Sequence, residues 1–375
     1  MPGLSRADIS VLGSWWRTVD RSTLSAIIGL IGFGYIMVLA ASPAVAERIH
    51  VARDTFILKQ VVFLLLATVV VVAVSLLSPR GVKRLALAGF FVALLLTAMT
   101  MVTGVEIKGA RRWINLPLMT VQPSEFLKPC FAVVAAWLIA EGQRTRAFPG
   151  MTLAFGLFGV VALLLKSQPD IGMLAVVTAV LFAQLFVAGL NLLLVGAGAG
   201  LLAAGAVAAY TLFPHVRSRV TRFMDPAAGD NYQVTTALEA FGSGGLMGRG
   251  PGEGHVKDVL PDAHADFVFA VAGEEFGLVV CVLVIALFGV IVFRGLMRSF
   301  REEDMFIVLA SCGLATSFGL QAFVNMASTL HLIPTKGMTL PFVSYGGSSA
   351  VAVAIGVGML LALTRQRARA DAWDS

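Results

Sequence analysis

Residues 22–46 have the sequence STLSAIIGLIGFGYIMVLAASPAVA, and no side chain in this stretch is charged. A helix needs about 20 consecutive apolar residues to cross the hydrocarbon core of a bilayer, so the stretch predicts a membrane-spanning helix. Arg17 and Arg21 before it and Ala44-Val45-Ala46 at its end are also typical of a cleaved signal peptide. The apolar core of a signal peptide has only about 7–15 residues, and we therefore expect the segment to be retained.

Similar stretches recur throughout the chain of 375 residues, of which 58% are hydrophobic and only 13% are charged. A soluble protein carries about 25% charged residues, and a disordered chain is poor in large apolar residues, so both classes are excluded. We predict an all-α polytopic membrane protein with about ten transmembrane helices. Their predicted bounds are 22–43, 57–78, 84–103, 124–141, 148–166, 170–189, 192–213, 266–293, 304–327 and 343–364.

The net charge of +6 does not indicate a nucleic-acid partner, because the 28 Lys and Arg residues are scattered over short segments without a basic stripe. Cys130, Cys281 and Cys312 each lie inside an apolar run. This placement argues against both a disulfide framework and a zinc site.

An even number of spans brings both termini to one side of the membrane. Half of the 28 Lys and Arg residues fall in the segments on that side, which are 1–21, 79–84, 142–147, 190–191, 294–303 and 365–375. Basic residues in short loops favour the cytoplasmic side. We therefore predict cytoplasmic tails at 1–21 and 365–375 around a membrane domain at 22–364. The segments 104–123, 214–265 and 328–342 then face outward, and 214–265 is one long extracytoplasmic loop.

Two groups of charges lie at or beside the fourth predicted helix. Lys108, Arg112 and Trp113 suit the depth of lipid headgroups, either as an interface anchor or as phosphate-binding residues. Glu125 and Lys128 follow Ser124 and lie one helical turn apart, so they either pair with each other or bind a ligand. A charge in so apolar a chain is costly and is a functional hypothesis by default.

Two further polar segments interrupt apolar sequence. In Gln168-Pro-Asp170, the acid either caps the next helix or contacts a ligand. Residues 334–349, PTKGMTLPFVSYGGSS, place Lys336 and Ser344 between two prolines and a glycine pair. Irregular backbone at membrane depth is tolerated where it lines a cavity or is covered by protein, so this segment is expected to border a site.

The long loop is rich in glycine and ends at Asp262-Ala-His264-Ala-Asp266. Its glycines match neither a P-loop nor a dinucleotide fingerprint, and they indicate either a flexible loop or backbone nests for an anion. Asp262, His264 and Asp266 are spaced two residues apart and could together bind a divalent cation, but the sequence offers no fourth ligand. Asp266 stands where a polar loop enters an apolar helix, so partial desolvation would make it a better base; a helix-start acid is the alternative. Glu274 and Glu275 follow and require partners.

Taken together, these segments resemble the SEDS family (shape, elongation, division and sporulation) of multi-pass bacterial membrane proteins, which polymerise peptidoglycan glycan strands. The most specific match is 334–349, whose residues 335–337 and 339–341 look like the cell-division branch. The other matches, in order, are 109–114, 122–125, 168–170, 242–245 and 267–277. Departures are Asp262 for the usual Glu, Ala265 for Thr and His331 for Gly.

The resemblance implies a glycosyltransferase that uses lipid II, with Asp266 as the catalytic residue. The substrate-binding residues that it suggests are Lys108, Arg112, Trp113, Ser124, Glu125, Lys128, Asp170, His264, Lys336 and Ser344. It also implies a class B penicillin-binding protein transpeptidase and other divisome membrane proteins as partners, at the septum of the bacterial inner membrane. A lipid II flippase and a non-catalytic scaffold are the alternatives. No cofactor follows from the sequence, and a divalent cation stays open.

Overall fold

The computed structural model describes residues 11–366 except 49, 51, 53, 108–109, 117–118, 190–191, 225–231, 261 and 335. The helices are α1 (Val11–Thr18), α2 (Arg21–Arg48), α3 (Asp54–Ser75), α4 (Pro79–Thr103), α5 (Pro123–Arg144), α6 (Gly150–Ser167), α7 (Ile171–Val187), α8 (Leu192–Leu212), α9 (Pro214–Met224), α10 (Tyr232–Gly244), α11 (Val256–Val259), α12 (Val268–Ser299), α13 (Met305–Thr329) and α14 (Gly347–Leu363). Three short strands are β1 (Val105–Ile107), β2 (Ala110–Asn115) and β3 (Thr120–Val121).

Seven of the described helices are long and apolar enough to cross a membrane, namely α2 to α6, α12 and α13. The apolar helices α7 and α14 have 17 residues each, and α8 has 21. Each of the ten predicted spans overlaps one of these helices. The exact number of membrane crossings stays a prediction, because α7 and α14 are shorter than the about 20 residues of a typical span.

The start of α4 differs from the predicted start at residue 84. The helix begins at Pro79, whose fixed φ suits the first helical position, and the Ser78 hydroxyl accepts a hydrogen bond from the Gly81 N–H at 3.2 Å. The basic residues that were expected to lie before the helix therefore lie on its first turns. Local capping, rather than the edge of the apolar run, determines where this helix begins.

The segments that were predicted to face outward contain more structure than predicted. The strands β1, β2 and β3 form a small antiparallel sheet in the segment 104–123, where no strand was predicted. The segment 214–265, predicted as one long loop, contains α9, α10 and α11.

The glycine-rich segment after α10 packs along a break in α12. The break is at Gly277, which has φ 76° and ψ −176°, and it frees backbone groups that water cannot reach inside a bundle. Four N–H groups donate across the contact at 2.9–3.2 Å: Leu278 to Gly245, Val279 to Leu246, Arg249 to Glu274 and Gly250 to Glu275. The glycines therefore serve close backbone approach and not flexibility.

We expect Gly277→Ala to destabilise the protein by at least about 2 kcal/mol, since its backbone region is nearly exclusive to glycine. An added Cβ would also collide with the backbone of Leu246 and Gly248. Gly289→Ala in the same helix is the matched control, because nothing lies within 4 Å of its Cβ position. Thermal unfolding of the two purified variants checks this, and equal midpoints would contradict it.

At the end of the bundle where α2 begins, Asp20 connects several helices. Arg294 donates two hydrogen bonds to its carboxylate at 2.8 Å each, and Arg298 lies 3.1 Å away. Burial raises the pKa of Asp20. The hydrogen bonds from Arg294 and Thr23 and the charges of both arginines outweigh burial, so the pKa lies below its usual value. Arg298 also donates to the Thr364 carbonyl at 3.2 Å, so this cluster joins the ends of α2, α12 and α14.

Candidate active site

Asp170 is the centre of a buried charge cluster at the junction of α6 and α7. Its carboxylate caps α7 by accepting a hydrogen bond from the Met173 N–H at 3.1 Å. The Lys336 Nζ lies 3.1 Å from Oδ1, and the Arg112 Nη1 lies 3.4 Å from Oδ2. Gln122 donates to the same carboxylate at 3.4 Å. Of the two predicted roles of Asp170, the structure contains the helix cap, and it adds two ion pairs that were not predicted. Contact with a ligand stays a prediction.

Electrostatics keep Asp170 ionised although it is only 3% exposed. Burial raises its pKa, but the charges of Lys336 and Arg112 and the Met173 hydrogen bond outweigh burial, so the pKa lies below its usual value. One carboxylate thus holds two cations in a fixed position.

Arg112 also donates hydrogen bonds to the carbonyl groups at the α6–α7 junction. Its Nε donates to the Gln168 carbonyl and its Nη2 to the Pro169 carbonyl, both at 2.7 Å. Neighbouring side chains on a strand point to opposite faces, so Arg111 and Trp113 lie on the other side of β2 from Arg112. Arg111 pairs there with the exposed Glu106 at 3.4 Å.

Residues 336 and 337 connect the Asp170 cluster to Asp266. The Lys336 side chain passes directly over Gly172, where a Cβ would collide with it. The next residue, Gly337, lies against the Asp266 carboxylate, because a Cβ at Gly337 would be 2.8 Å from Oδ2. Four of the predicted site residues, Arg112, Asp170, Asp266 and Lys336, are therefore brought together from distant parts of the chain.

The main chain before Asp266 is bound to the segment 340–345. The Ser344 Oγ donates to the Ala265 carbonyl at 2.6 Å and accepts from the Leu340 N–H at 2.8 Å. The Tyr345 N–H donates to the His264 carbonyl at 2.8 Å. These contacts give Ser344 a supporting role in the fold.

The ring of His264 packs against Phe56 and Tyr345, with ring centroids 5.3 and 5.0 Å away. Asp262 has a left-handed backbone, with φ 54°, in the turn before it. Among the residues that the structure describes, no three His, Cys, Asp or Glu side chains are grouped so that they could hold a metal ion.

Glu125 and Lys128 form a buried ion pair of 2.8 Å within α5. The Lys128 Nζ also donates to the Gln321 Oε1 at 2.5 Å, and the Ser349 hydroxyl donates to the Glu125 carboxylate at 3.4 Å. The pair borders a small, partly open cleft between α5, α13 and α14 that is otherwise mainly apolar. Ser124 is buried and accepts from the Gln122 side chain at 3.1 Å.

Glu274 and Glu275 organise the glycine-rich segment. Glu274 accepts from the N–H groups of His255 and Val256 at 3.0 Å each. Glu275 accepts from the Gly252 N–H at 2.9 Å and pairs with Lys257 at 2.6 Å. These amides are bound by carboxylates of the protein itself, so they do not form a nest for an external anion.

A family model described as "Cell cycle protein" and named for FtsW, RodA and SpoVE matches residues 21–369. The chain belongs to the FtsW/RodA/SpoVE family. The resemblance to the SEDS family is thereby confirmed.

Individual relatives agree with the family. The chain is 41% identical over 349 residues to a Caulobacter vibrioides protein named "Probable peptidoglycan glycosyltransferase FtsW", covering 93% of this chain and 90% of that protein. A protein of the same name from Escherichia coli O157:H7 is 34% identical over 339 residues, covering 88% of this chain and 82% of that protein.

Solved structures of the family confirm the polytopic all-α fold. The rod shape determining protein RodA of Thermus thermophilus matches with a TM-score of 0.67 and 28% identity over 93% of this chain and 97% of that one. A chain described under "Structural coordination of polymerization and crosslinking by a peptidoglycan synthase complex" matches with a TM-score of 0.75 and 28% identity, over 92% and 97% of the two chains.

Two further predicted site residues complete the comparison with the sequence. Lys108 lies outside the described residues, and Trp113 lies on the face of β2 opposite to Arg112. Asn325 and Gln60 were not singled out, although both contact the segments that carry the site. Asn325 is an uncharged residue inside an apolar run, so the sequence offers no signal for it; Gln60 lies beside Lys59 at the polar end of its predicted helix.

Proposed function

We propose that this chain is a peptidoglycan glycosyltransferase that polymerises lipid II into glycan strands during septal cell-wall synthesis. The observation that carries the proposal is the position of the Asp266 carboxylate against Gly337, next to Lys336, which with Arg112 forms the cationic cluster around Asp170. A base beside fixed cations suits a reaction that removes a proton and releases a pyrophosphate. The names of the relatives support this activity.

In the proposed reaction, Asp266 takes the proton from the 4-hydroxyl group of the acceptor GlcNAc. That oxygen attacks the anomeric carbon of the donor MurNAc and forms the new glycosidic bond with inversion. The bond from the anomeric carbon to the pyrophosphate oxygen breaks, and undecaprenyl pyrophosphate leaves with the bonding electrons.

The cations stabilise the charge that develops on the leaving group. Fixed cations in a site of low dielectric stabilise such charge without a cost of reorganisation. Arg112 and Lys336 fill this role, and we assign the same role to Lys108. Asp170 holds the two cations, which is why its own function is positioning.

The other predicted substrate-binding residues are assigned to the rim and floor of the site. His264 contributes aromatic ring surface for the substrate, and the apolar helix surfaces near Glu125 and Lys128 contribute to binding of the polyprenyl chain. Trp113, on the other face of β2, is assigned to the depth of the lipid headgroups. Ser124 and Ser344 contribute through the segments that they stabilise. A divalent cation bound with the substrate pyrophosphate stays part of the proposal.

The proposed partner is a class B penicillin-binding protein transpeptidase, together with other divisome membrane proteins. The similarity to a chain of a peptidoglycan synthase complex supports a partner of this kind. The proposed location is the inner membrane at the division septum. A lipid II flippase is less well supported, because a transporter places its site near the midplane of the membrane and the Asp266 cluster lies at one end of the bundle.

The decisive experiment is polymerisation of labelled lipid II by the purified protein, with and without its cognate transpeptidase. We expect glycan strands in the wild-type reaction and a higher rate with the transpeptidase. Failure of the well-folded protein to extend lipid II under both conditions would contradict the proposal.

The proposed topology has a separate test. We expect reporter fusions at residues 10, 82, 298 and 370 to indicate a cytoplasmic location, and fusions at 112, 240 and 336 to indicate the opposite side, because basic residues in short loops favour the cytoplasm. A cytoplasmic location of the fusion at 240 would contradict the proposed orientation. It would also contradict the proposal that the protein uses lipid II on the outer face of the membrane.

A further inference from the structure

The loop that leads into α12 is held at three consecutive carbonyl groups. The carbonyls of His264 and Ala265 accept from Tyr345 and Ser344, as described above. The third carbonyl, that of Asp266 itself, accepts from the Asn325 Nδ2 at 3.0 Å. The backbone of the proposed base is thus bound directly by a side chain of α13.

The same Asn325 nitrogen also donates to the Met338 carbonyl at 2.6 Å. Carbonyl oxygens can only accept hydrogen bonds, so the nitrogen of the amide must be the atom that faces both of them. Asn325 is fully buried, and its own Oδ1 has no hydrogen-bond partner among the described residues. A buried acceptor without a hydrogen bond destabilises the folded state. The same orientation of the amide places one donor between two backbone segments.

Those two segments carry the opposite halves of the site. Asp266 provides the carboxylate, and Met338 follows Lys336 and Gly337, of which Lys336 reaches Asp170 and Gly337 touches the carboxylate. Together with the Ser344 and Tyr345 contacts, Asn325 therefore fixes how far the base lies from the cation-bearing segment, and of these three it is the residue that binds the backbone of Asp266 itself.

We propose that Asn325 is a positioning residue that sets the separation between the base Asp266 and the cation of Lys336. The inference rests on the proposed function, because it assigns to both residues their roles in glycosyl transfer. Without the shared donor, the two carbonyls repel each other and the segments separate. The base then meets the acceptor hydroxyl at the wrong distance from the cations.

The test compares Asn325→Leu with the wild type in lipid II polymerisation. Misplacement of a reacting group by about 1 Å costs up to roughly 10²-fold in rate, so we expect kcat to fall by about 10²-fold while KM for lipid II changes less than about threefold. A loss confined to KM, or an unchanged kcat, would overturn the proposal. Asn325→Ala is used in the same way where the leucine variant does not accumulate.

The chain offers a matched control at Gln184. This residue is also fully buried, its Nε2 donates to the carbonyls of Ala132 at 2.6 Å and Leu309 at 3.1 Å, and its Oε1 is unpaired among the described residues. Gln184→Met removes the same kind of clamp between helices away from the site. We expect a similar loss of thermal stability in both variants and a loss of kcat only in Asn325→Leu. Equal losses of kcat would show a purely structural role.

A double-mutant cycle gives the most specific readout. In an Asp266→Asn background the base is already absent, so adding Asn325→Leu should change the residual rate less than about threefold. A further 10²-fold loss there would contradict positioning of the base. An inactive wild-type protein refutes the proposed function, whereas an active wild type with additive losses refutes this inference alone.

Discussion

Replacement of Asp266 by Asn lowers the rate of glycan polymerisation by about 10²–10⁴-fold, the range that a general base contributes. Asn retains the shape of the side chain, and the carbonyls of residues 264–266 keep their hydrogen bonds. The variant therefore loses proton-accepting power without losing the local fold. Polymerisation of labelled lipid II by the purified variant measures the loss, and its thermal unfolding midpoint is expected to stay near that of the wild type.

Asp262→Asn is the control for this substitution, since it removes a carboxylate from the same turn four residues earlier. Asp262 has a left-handed backbone that Asn also adopts readily, so we expect a much smaller effect. A wild-type rate in Asp266→Asn would show that the catalytic assignment is wrong. Glu125 would then be the next residue to test, because Asp170 is held between two cations and is a poor base.

Replacement of Asp170 by Asn destabilises the protein by about 2–3 kcal/mol, because it leaves two partly buried cations without their carboxylate. The cations separate, and polymerisation falls as well. The folded pKa of Asp170 is below its usual value, so its contribution to stability is present above the usual carboxyl pKa and is lost as the pH falls through the folded value. The difference between variant and wild type should therefore narrow in acid.

The matched control is Asp304→Asn, because Asp304 caps α13 by accepting from the Phe306 N–H at 2.9 Å and Asn caps a helix equally well. We expect it to change stability by only a few tenths of a kcal/mol. Thermal unfolding of both variants across a pH series makes the comparison. Equal destabilisation by the two substitutions would mean that Asp170 acts only as a helix cap.

The ten predicted helices were predictable because each contains a long apolar run, and this pattern depends on neighbouring residues alone. The shorter helices α1, α9, α10 and α11 lack such a run and were not predicted. The sheet formed by β1 to β3 was not predictable, because its strands are two to six residues long and show no alternation that marks one buried face. The pairing of the glycine-rich segment with α12 could not be predicted from the sequence either. It depends on a helix break at Gly277 and on backbone groups from distant parts of the chain.

Some of the site residues could likewise be predicted from the sequence, and others could not. Charges such as Asp170, Asp266 and Lys336 stand out in an apolar chain because burying them is costly. Arg112 was chosen over Arg111 through the resemblance, and the strand alternation of β2 gives the physical reason for that choice. Ser344 was predicted to bind substrate because it lies in a specific motif, yet its hydroxyl is engaged with two backbone groups. Sequence alone cannot distinguish a residue that contacts a ligand from one that supports it.

The shortness of α14 has a consequence for the depth of the site. This helix has 17 residues and leads from the segment that carries Lys336 to the cluster of Arg298 at the other face. At 1.5 Å per residue it is about 25 Å long, whereas the hydrocarbon core is about 30 Å thick. No residue of α14 is exposed, so neighbouring helices rather than lipid surround it, and it need not match the thickness of the bilayer. A lipid-linked sugar would therefore reach the base and cations in a recess of the protein roughly 5 Å below the headgroups, with its polyprenyl tail still dissolved among the acyl chains.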